Sequence, residues 1–95
     1  MIPKSTDPVV LNGLKNFQKH CMSCHQINGQ GGVKGPDLNR PTNIFSRINE
    51  ASVRTKIDNP QALNPQTTMP PLNLSLIDRK KVIDEIITYL HAMKN

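Results

Sequence analysis

Two cysteines and a histidine near position 20 are the residues of this chain best suited to chemistry. Residues 21–25 read Cys21-Met22-Ser23-Cys24-His25, which is the C-x-x-C-H spacing at which a c-type haem is attached to protein. Two thiols three residues apart on one helical turn can add to the two vinyl groups at one edge of a porphyrin. The histidine that follows can then bind the iron as an axial ligand. The motif therefore predicts one covalently bound haem held by Cys21, Cys24 and His25.

Other uses of a cysteine pair fit this chain less well. A zinc site usually takes four ligands from two separated pairs, whereas the chain has only two cysteines. His20 and His25 lie so close to these cysteines in sequence that the four side chains could not easily surround one ion as a tetrahedron. A thioredoxin-like redox pair needs strand–helix–strand patterning around it, and the sequence shows no alternation typical of strands. A disulfide across so short a loop would add little stability. A redox or metal pair remains the alternative to haem attachment.

The composition fits a small domain that is completed by a large apolar group. The chain has 95 residues, which predicts a single domain over residues 1–95. Only 36% of the residues are hydrophobic, and the aromatic residues are Phe17, Phe45 and Tyr89. Domains of this size often need a stabilising element such as a disulfide, a metal or a cofactor in addition to their core. A buried porphyrin would supply the missing apolar bulk.

The basic charge of the chain narrows the choice of partners. The formal net charge is +5, which suits nucleic acid, a membrane surface or an acidic protein. The lysines are dispersed, no stacking aromatic lies among them and no nucleic-acid-binding motif is present, so nucleic acid is disfavoured. No segment is long and apolar enough to span a bilayer, and we expect no stable membrane insertion. We expect acidic redox protein partners, although an ordinary soluble surface explains any single lysine equally well.

The expected location follows from the haem motif. No apolar leader segment follows Met1. Covalent haem attachment normally takes place outside the bacterial cytoplasm. We therefore expect a periplasmic protein whose leader has been removed.

The first predicted helix ends at the cysteine motif. Asp7 can cap it, and Pro8 suits the first helical position. Gly13 lowers helix stability by about 1 kcal/mol relative to alanine, which predicts close packing against another helix. The apolar face consists of Val10, Leu14 and Phe17.

The remaining elements are predicted to be helices joined by loops. Residues 26–41 are glycine-rich and predict a loop. Short helices are expected at 42–48 and 49–58, the second ending before Pro60. Residues 59–73 contain four prolines and predict a long functional loop. A last helix begins at Ser75, which caps it together with Asp78. Its apolar stripe consists of Ile83, Ile86, Ile87 and Leu90, widened by Tyr89 and Met93.

The iron needs a second axial ligand, or its sixth position stays open. Met22 lies inside the attachment turn, and His20 lies on the same side of the ring as Cys21. Met69 is far enough along the chain to reach the opposite side, and Pro70 and Pro71 would fix its backbone. We predict ligation by Met69, with simple packing of its side chain on apolar surface as the alternative. The full set of candidates is Met1, Met22, Met69, Met93, His20 and His91.

Four ordered sequence blocks resemble those of the class I cytochromes c, especially the small single-haem bacterial type. The resemblance covers nearly the whole chain. The blocks are Gly13 and Phe17 before the haem motif, Gly35-Pro36-Asp37-Leu38 after it, Met69-Pro70-Pro71, and Ile86 with Tyr89-Leu90. The resemblance implies an all-α fold in which the N- and C-terminal helices cross and short middle helices and loops wrap around one haem.

The same resemblance implies particular contacts. Gly13 and Phe17 of the first helix are expected to meet Ile86 and Tyr89. The carbonyl of Pro36 is expected to accept a hydrogen bond from the outer nitrogen of His25, which would orient the imidazole and raise its basicity. The chain departs from the family in having no tryptophan and few aromatics to bind the haem propionates. Spacing does not choose among the possible substitutes Arg40, Arg47 and Arg54.

These observations predict a soluble, monomeric single-electron carrier that is not an enzyme. Ligation by His25 and Met69 would saturate the iron, so neither oxygen nor substrate could bind it. Lys15, Lys19 and Lys34 could surround the thioether edge and steer an acidic partner. The alternatives are a peroxidase-like enzyme, a gas sensor with a displaceable methionine, and the haem domain of a larger oxidoreductase.

Overall fold

The computed structural model describes residues 1–94 and is mainly helical, as expected for an all-α protein. Asn95, the last residue of the predicted 1–95 domain, lies outside the described residues. None of the helices described is both long and apolar enough to cross a lipid bilayer. The helices are α1 Pro8–His20, α2 Glu50–Asp58, α3 Pro60–Leu63 and α4 Leu76–Ala92, with a 3₁₀ helix at Ile44–Ser46 and short strands β1 Gln26–Ile27 and β2 Gln30–Gly31.

Helix α1 begins and ends where the sequence predicts. The side chain of Asp7 accepts a hydrogen bond from the backbone N–H of Val9 at 2.8 Å, and Pro8 occupies the first turn. At the other end the N–H of Cys21 donates to the carbonyl of Phe17 at 2.8 Å. The helix therefore ends at the first cysteine of the motif.

Helix α1 packs tightly on helix α4 at Gly13. A Cβ atom at position 13 would overlap the carbonyl oxygen of Glu85 and lie 2.6 Å from the Cβ of Tyr89. Only a residue without a side chain allows the two backbones to approach this closely. One turn further along, the rings of Phe17 and Tyr89 lie 5.7 Å apart between centroids at an angle of 44°, a favourable tilted arrangement.

Helix α4 supplies more of the core than any other element. The hydroxyl of Ser75 accepts from the N–H of Asp78 at 3.2 Å, so Ser75 caps the helix as predicted. The Asp78 side chain, which was predicted to complete the cap, makes no hydrogen bond within residues 1–94. Glu85 is buried on the same helix, and its carboxylate accepts from the side-chain amide of Asn16 at 3.1 Å. The buried apolar residues of the core are Val10, Phe17, Ile27, Ile44, Val53, Ile57, Ile83, Ile86, Ile87, Tyr89, Leu90 and Met93.

The glycine-rich segment 26–41 is not wholly irregular, so the predicted loop is wrong at its start. Strands β1 and β2 pair antiparallel, with Gln26 opposite Gly31 and Ile27 opposite Gln30. Asn28 and Gly29 between them have φ of 53° and 83°, as a type I′ turn requires. The Asn-Gly dipeptide is itself the strongest short hairpin signal in a sequence, and it indicated this turn.

The middle of the chain differs from expectation in two places. The predicted helix at 42–48 is only the 3₁₀ helix, which follows the cap Asn43. The predicted loop at 59–73 begins with the single-turn helix α3, in which Pro60 takes the first position, where a missing N–H costs nothing. Helix α2 ends at Asp58, before Pro60, as predicted.

Candidate functional site

The cysteine motif forms a compact turn at the end of α1. The N–H groups of Cys24 and His25 both donate to the carbonyl of Cys21, at 3.1 and 2.9 Å. Both cysteines are free and half-buried. The turn thus carries two unbonded thiols and an imidazole within five residues.

The hydrogen bond of the His25 ring determines which of its nitrogens can bind a metal. Its Nδ1 lies 3.0 Å from the carbonyl oxygen of Pro36, the contact that the family resemblance implies. A carbonyl can only accept, so Nδ1 carries the proton and donates it. The Nε2 lone pair is therefore available as a ligand.

Gly35 gives the His25 ring its space. A Cβ atom at position 35 would overlap Cε1 of the imidazole and lie 2.5 Å from Nδ1. The residue before Pro36 therefore has to be glycine if the ring is to reach the Pro36 carbonyl. The sequence analysis placed this glycine in a glycine-rich loop and in a block shared with the family, but it did not predict the contact with the His25 ring.

Residues 26–41 are bonded to the carbonyl groups of the motif residues that precede His25. The N–H of Gly32 donates to Met22 at 2.8 Å, and the N–H of Gly35 donates to Cys24 at 2.7 Å. Leu38 donates to the carbonyl of Gln26 at 2.9 Å. These non-local bonds hold the segment against the attachment turn, and no local sequence pattern predicts them.

The surroundings of the Cys21 thiol disfavour a redox role for it. Burial, and to a smaller extent the neighbouring Cys24, raises the pKa of Cys21 to about 12. Such a thiol stays protonated at neutral pH and is a poor redox nucleophile. Within residues 1–94, no three His, Cys, Asp or Glu side chains converge as protein ligands around a metal ion would.

The residues present fit a c-type haem. Two free thiols lie on one turn, and the adjacent imidazole has its outer nitrogen bonded and its Nε2 available. Several apolar side chains pack against the core but remain partly exposed, as expected of a surface that an apolar ring would cover. They include Cys21, Met22, Leu38, Phe45, Ile48 and Leu72.

Met69 is half-buried in the irregular segment after α3. Its N–H donates to the hydroxyl of Thr67, and its carbonyl accepts from the side-chain amide of Gln61, both at 3.2 Å. These bonds fix the backbone on either side of the sulfur-bearing side chain. Ligation by Met69 stays a prediction.

The other candidate ligands have different partners. Met93 is 9% exposed and packs in the core, and Gln18 Nε2 lies 3.8 Å from the sulfur of Met1. The ring of His91 stacks on Phe45 at 3.8 Å between centroids, and its Nε2 lies 2.6 Å from a carboxylate oxygen of Glu50. This hydrogen bond is the main reason why the pKa of Glu50 lies below its usual value.

The three arginines considered for propionate binding differ in how many protein groups their side chains already bind. Arg54 is ion-paired with Asp84 at 2.5 Å and with Glu50 at 3.7 Å. Arg47 donates to the carbonyls of Asp37 at 2.7 Å, Arg40 at 3.3 Å and Thr42. The exposed side chain of Arg40 makes no hydrogen bond within residues 1–94.

The three lysines proposed to steer a partner are exposed. Lys15 and Lys19 lie on α1 before the motif, and Lys34 precedes Gly35, which contacts the His25 ring. None of them forms an ion pair in the part of the chain that the structure describes. Their charges are therefore not neutralised by a neighbouring carboxylate.

Comparison with known proteins gives one family. A family model described as Cytochrome c matches residues 10–94 of this chain. The match includes the whole attachment turn, the Pro36 segment, Met69 and α4. Neither the curated proteins nor the solved structures give a significant match.

Proposed function

This chain belongs to the cytochrome c family, and from that membership we propose that it is a single-electron carrier whose haem iron is bound by His25 and Met69. Family membership alone makes it a haem-binding electron-transfer protein. The proposal goes beyond family membership in three respects: the two axial ligands, an iron with no open position, and a docking face for partners. The observation that carries it is the hydrogen bond from His25 Nδ1 to Pro36, because it leaves Nε2 free to bind iron.

Bound haem would supply an iron that changes oxidation state by one electron. The chain contributes two thioether links through Cys21 and Cys24, and it orients the imidazole of His25. We propose that the terminal helices cross beside the haem, and that the middle helices and loops wrap around it. Two protein ligands leave no open position, which suits electron transfer and excludes oxygen or substrate binding. The protein is then a carrier and not an enzyme.

Elimination supports Met69 as the second ligand. Met22 is part of the attachment turn. Met93 is packed in the core, and His91 is occupied by Glu50 and Phe45. The sulfur of Met1 lies against the side-chain amide of Gln18, and His20 ends α1 directly before the attachment turn. Met69 is then the remaining candidate, in a segment whose backbone is held by neighbours but whose side chain is only half-buried.

We propose that Lys15, Lys19 and Lys34 form the docking face for acidic redox partners. They are exposed and unpaired within residues 1–94, and small, transient interfaces suit such partners. A monomer in the periplasm is the simplest setting for this role, since covalent haem attachment normally occurs outside the cytoplasm.

Covalent attachment is tested by mass and extraction. The intact protein is expected to exceed the mass of its chain by one haem, and acid-acetone treatment is expected to leave the haem on the polypeptide. Cys21→Ala is expected to leave at most one thioether. Release of the haem by acid-acetone, or a protein that binds zinc in its place, would overturn the proposal.

Docking is tested by charge reversal. Lys15→Glu combined with Lys19→Glu is expected to slow electron exchange with an acidic partner and to leave the haem spectrum unchanged. The rate for the unmodified protein is expected to fall as salt rises, because the Debye length is only about 10 Å at 0.1 M. Reversal of Lys56 and Lys80 to Glu is the matched control. Equal slowing by the control pair would show that net charge, and not this face, sets the rate.

A further inference from the structure

The carboxylate of Asp37 accepts four backbone hydrogen bonds. Its Oδ1 accepts from the N–H of Asn39 at 2.8 Å, of Arg40 at 3.0 Å and of Asn28 at 3.3 Å. Its Oδ2 accepts from the N–H of Gly29 at 2.8 Å. Two of these donors lie at the tip of the hairpin and two in the segment that follows Asp37. One side chain therefore joins two separate stretches of chain.

The position of Asp37 connects this anchor to His25. The carbonyl that accepts from His25 Nδ1 is that of Pro36, and it belongs to the peptide group that joins Pro36 to Asp37. A peptide group is planar and rigid. Fixing the main chain of Asp37 therefore fixes the direction in which the Pro36 carbonyl points.

The main chain around Asp37 is held as well. Asp37 forms an isolated bridge with Gln26, and Leu38 donates to Gln26 at 2.9 Å. Gln26 is the residue directly after His25. The anchor thus ties the Pro36 carbonyl to the same stretch of chain that carries the imidazole.

We propose that Asp37 is a positioning residue for the iron ligand, acting through the Pro36 carbonyl to set the orientation and basicity of the His25 imidazole. The proposal rests on haem ligation by His25, as proposed above. A turn-forming aspartate would need only one or two local bonds. The four bonds here converge on the carboxylate of Asp37, whose main chain shares a peptide group with the Pro36 carbonyl that orients the ligand.

The charge of Asp37 strengthens the anchor. Partial burial acts to raise its pKa, but the backbone hydrogen bonds from Asn39, Gly29, Asn28 and Arg40 together outweigh burial, and the pKa lies below its usual value. The carboxylate is therefore ionised at neutral pH. Hydrogen bonds to an ionised acceptor are shorter and stronger than neutral ones.

The anchor also extends to helix α4. Asn39, whose N–H is bonded to Asp37, donates its side-chain amide to the carbonyl of Met93 at 2.9 Å. Asn43 donates to the Asn39 side chain at 2.9 Å and to the carbonyl of Leu90 at 2.8 Å. The segment that orients the ligand is thereby attached to the end of the helix that supplies more of the core than any other element.

The test is the exchange of the His25 Nδ1 proton with solvent in the ferrous holoprotein, measured by nuclear magnetic resonance. Asp37→Ala removes all four hydrogen bonds and is expected to speed exchange about tenfold or more, as expected for the loss of charge-assisted hydrogen bonds. Asp37→Asn keeps one acceptor oxygen and is expected to speed exchange by a smaller factor. Asp78→Ala, an exposed aspartate whose side chain makes no hydrogen bond within residues 1–94, is the control and is expected to leave exchange unchanged.

The outcomes separate positioning from mere stability. A lower melting temperature for Asp37→Ala with exchange equal to that of the control would overturn the proposal. If Asp37→Ala does not accumulate as holoprotein, Asp37→Asn decides, and exchange equal to that of the unmodified protein would overturn it. Absence of covalent haem in the unmodified protein would instead overturn the carrier proposal, so the two failures are distinguishable.

Discussion

The segment that orients His25 and the segment that carries Met69 are held in different ways. The segment after His25, residues 26–41 (the His25 loop), is bonded to the attachment turn and, through Asn39, to the end of helix α4. The Met69 loop, residues 64–75, makes mostly short-range bonds, such as those from Met69 to Thr67 and from Gln61 to Met69. Most residues of the Met69 loop are exposed. We infer that hydrogen bonds of the chain itself organise the histidine side, whereas the methionine side would depend on the proposed bond between iron and Met69 for its final position.

The largest expected effect is on the histidine side. His25→Ala is expected to abolish the low-spin spectrum, because it removes the imidazole that we propose as an iron ligand. The visible spectrum of both oxidation states measures this. His91→Ala is the control, since that ring is occupied by Glu50 and Phe45, and its spectrum is expected to remain low-spin.

Met69→Ala is expected to have the next largest effect. The weak far-red sulfur-to-iron band of the oxidised protein should disappear, while the fold and the covalent haem remain, because the Met69 loop contributes few non-local contacts. Absorption spectroscopy with a parallel melting curve checks both parts. If the band persists in Met69→Ala and disappears in Met93→Ala, the wrong methionine has been chosen.

Gly35→Ala and Pro71→Ala together compare how much stability each segment loses on substitution. The added methyl group would overlap the His25 ring, and overpacking of this kind costs about 1–3 kcal/mol. Pro71→Ala in the Met69 loop mainly frees the unfolded chain and is expected to cost less, about 0.4–1 kcal/mol. Chemical denaturation of both variants measures the difference. A larger loss for Pro71→Ala would contradict the comparison.

The smallest expected effect is the pH dependence that Asp37 contributes. The pKa of Asp37 is lower in the folded chain than its usual value of 3.8. Its contribution to stability is therefore fully present above that value and is lost as pH falls through the folded pKa. The difference in melting temperature between the unmodified protein and Asp37→Asn is expected to be constant near neutral pH and to narrow below about pH 4. A difference that stays constant down to pH 2 would show that the charge of Asp37 contributes nothing.

The sequence predicted those parts of the fold that depend on interactions within one segment. The caps Asp7 and Ser75 and the buried stripe of α4 all follow from side chains and spacing in their own segments. The hairpin at Asn28-Gly29 had an equally local signal, but the surrounding glycines obscured it. The burial of Glu85 could not be predicted, because it depends on the distant Asn16 as its partner.

In the candidate site, too, the features set by neighbouring residues were predicted and the contacts between distant segments were not. The spacing of Cys21, Cys24 and His25 predicted the attachment turn, since one helical turn contains all three. The contact of Gly35 with the His25 ring and the four bonds of Asp37 join segments that a periodicity argument treats separately. Family resemblance supplied the Pro36 contact, which spacing alone could not.

The most direct test of whether two protein ligands leave the iron without an open position is carbon monoxide binding by the native ferrous protein at neutral pH. If His25 and Met69 both bind the iron, binding is expected to be slow or absent, although the protein is reduced and reoxidised rapidly. Met69→Ala serves as the internal comparison and is expected to bind carbon monoxide quickly. Rapid binding by the unmodified protein would contradict a closed iron and favour a gas sensor or a haem enzyme.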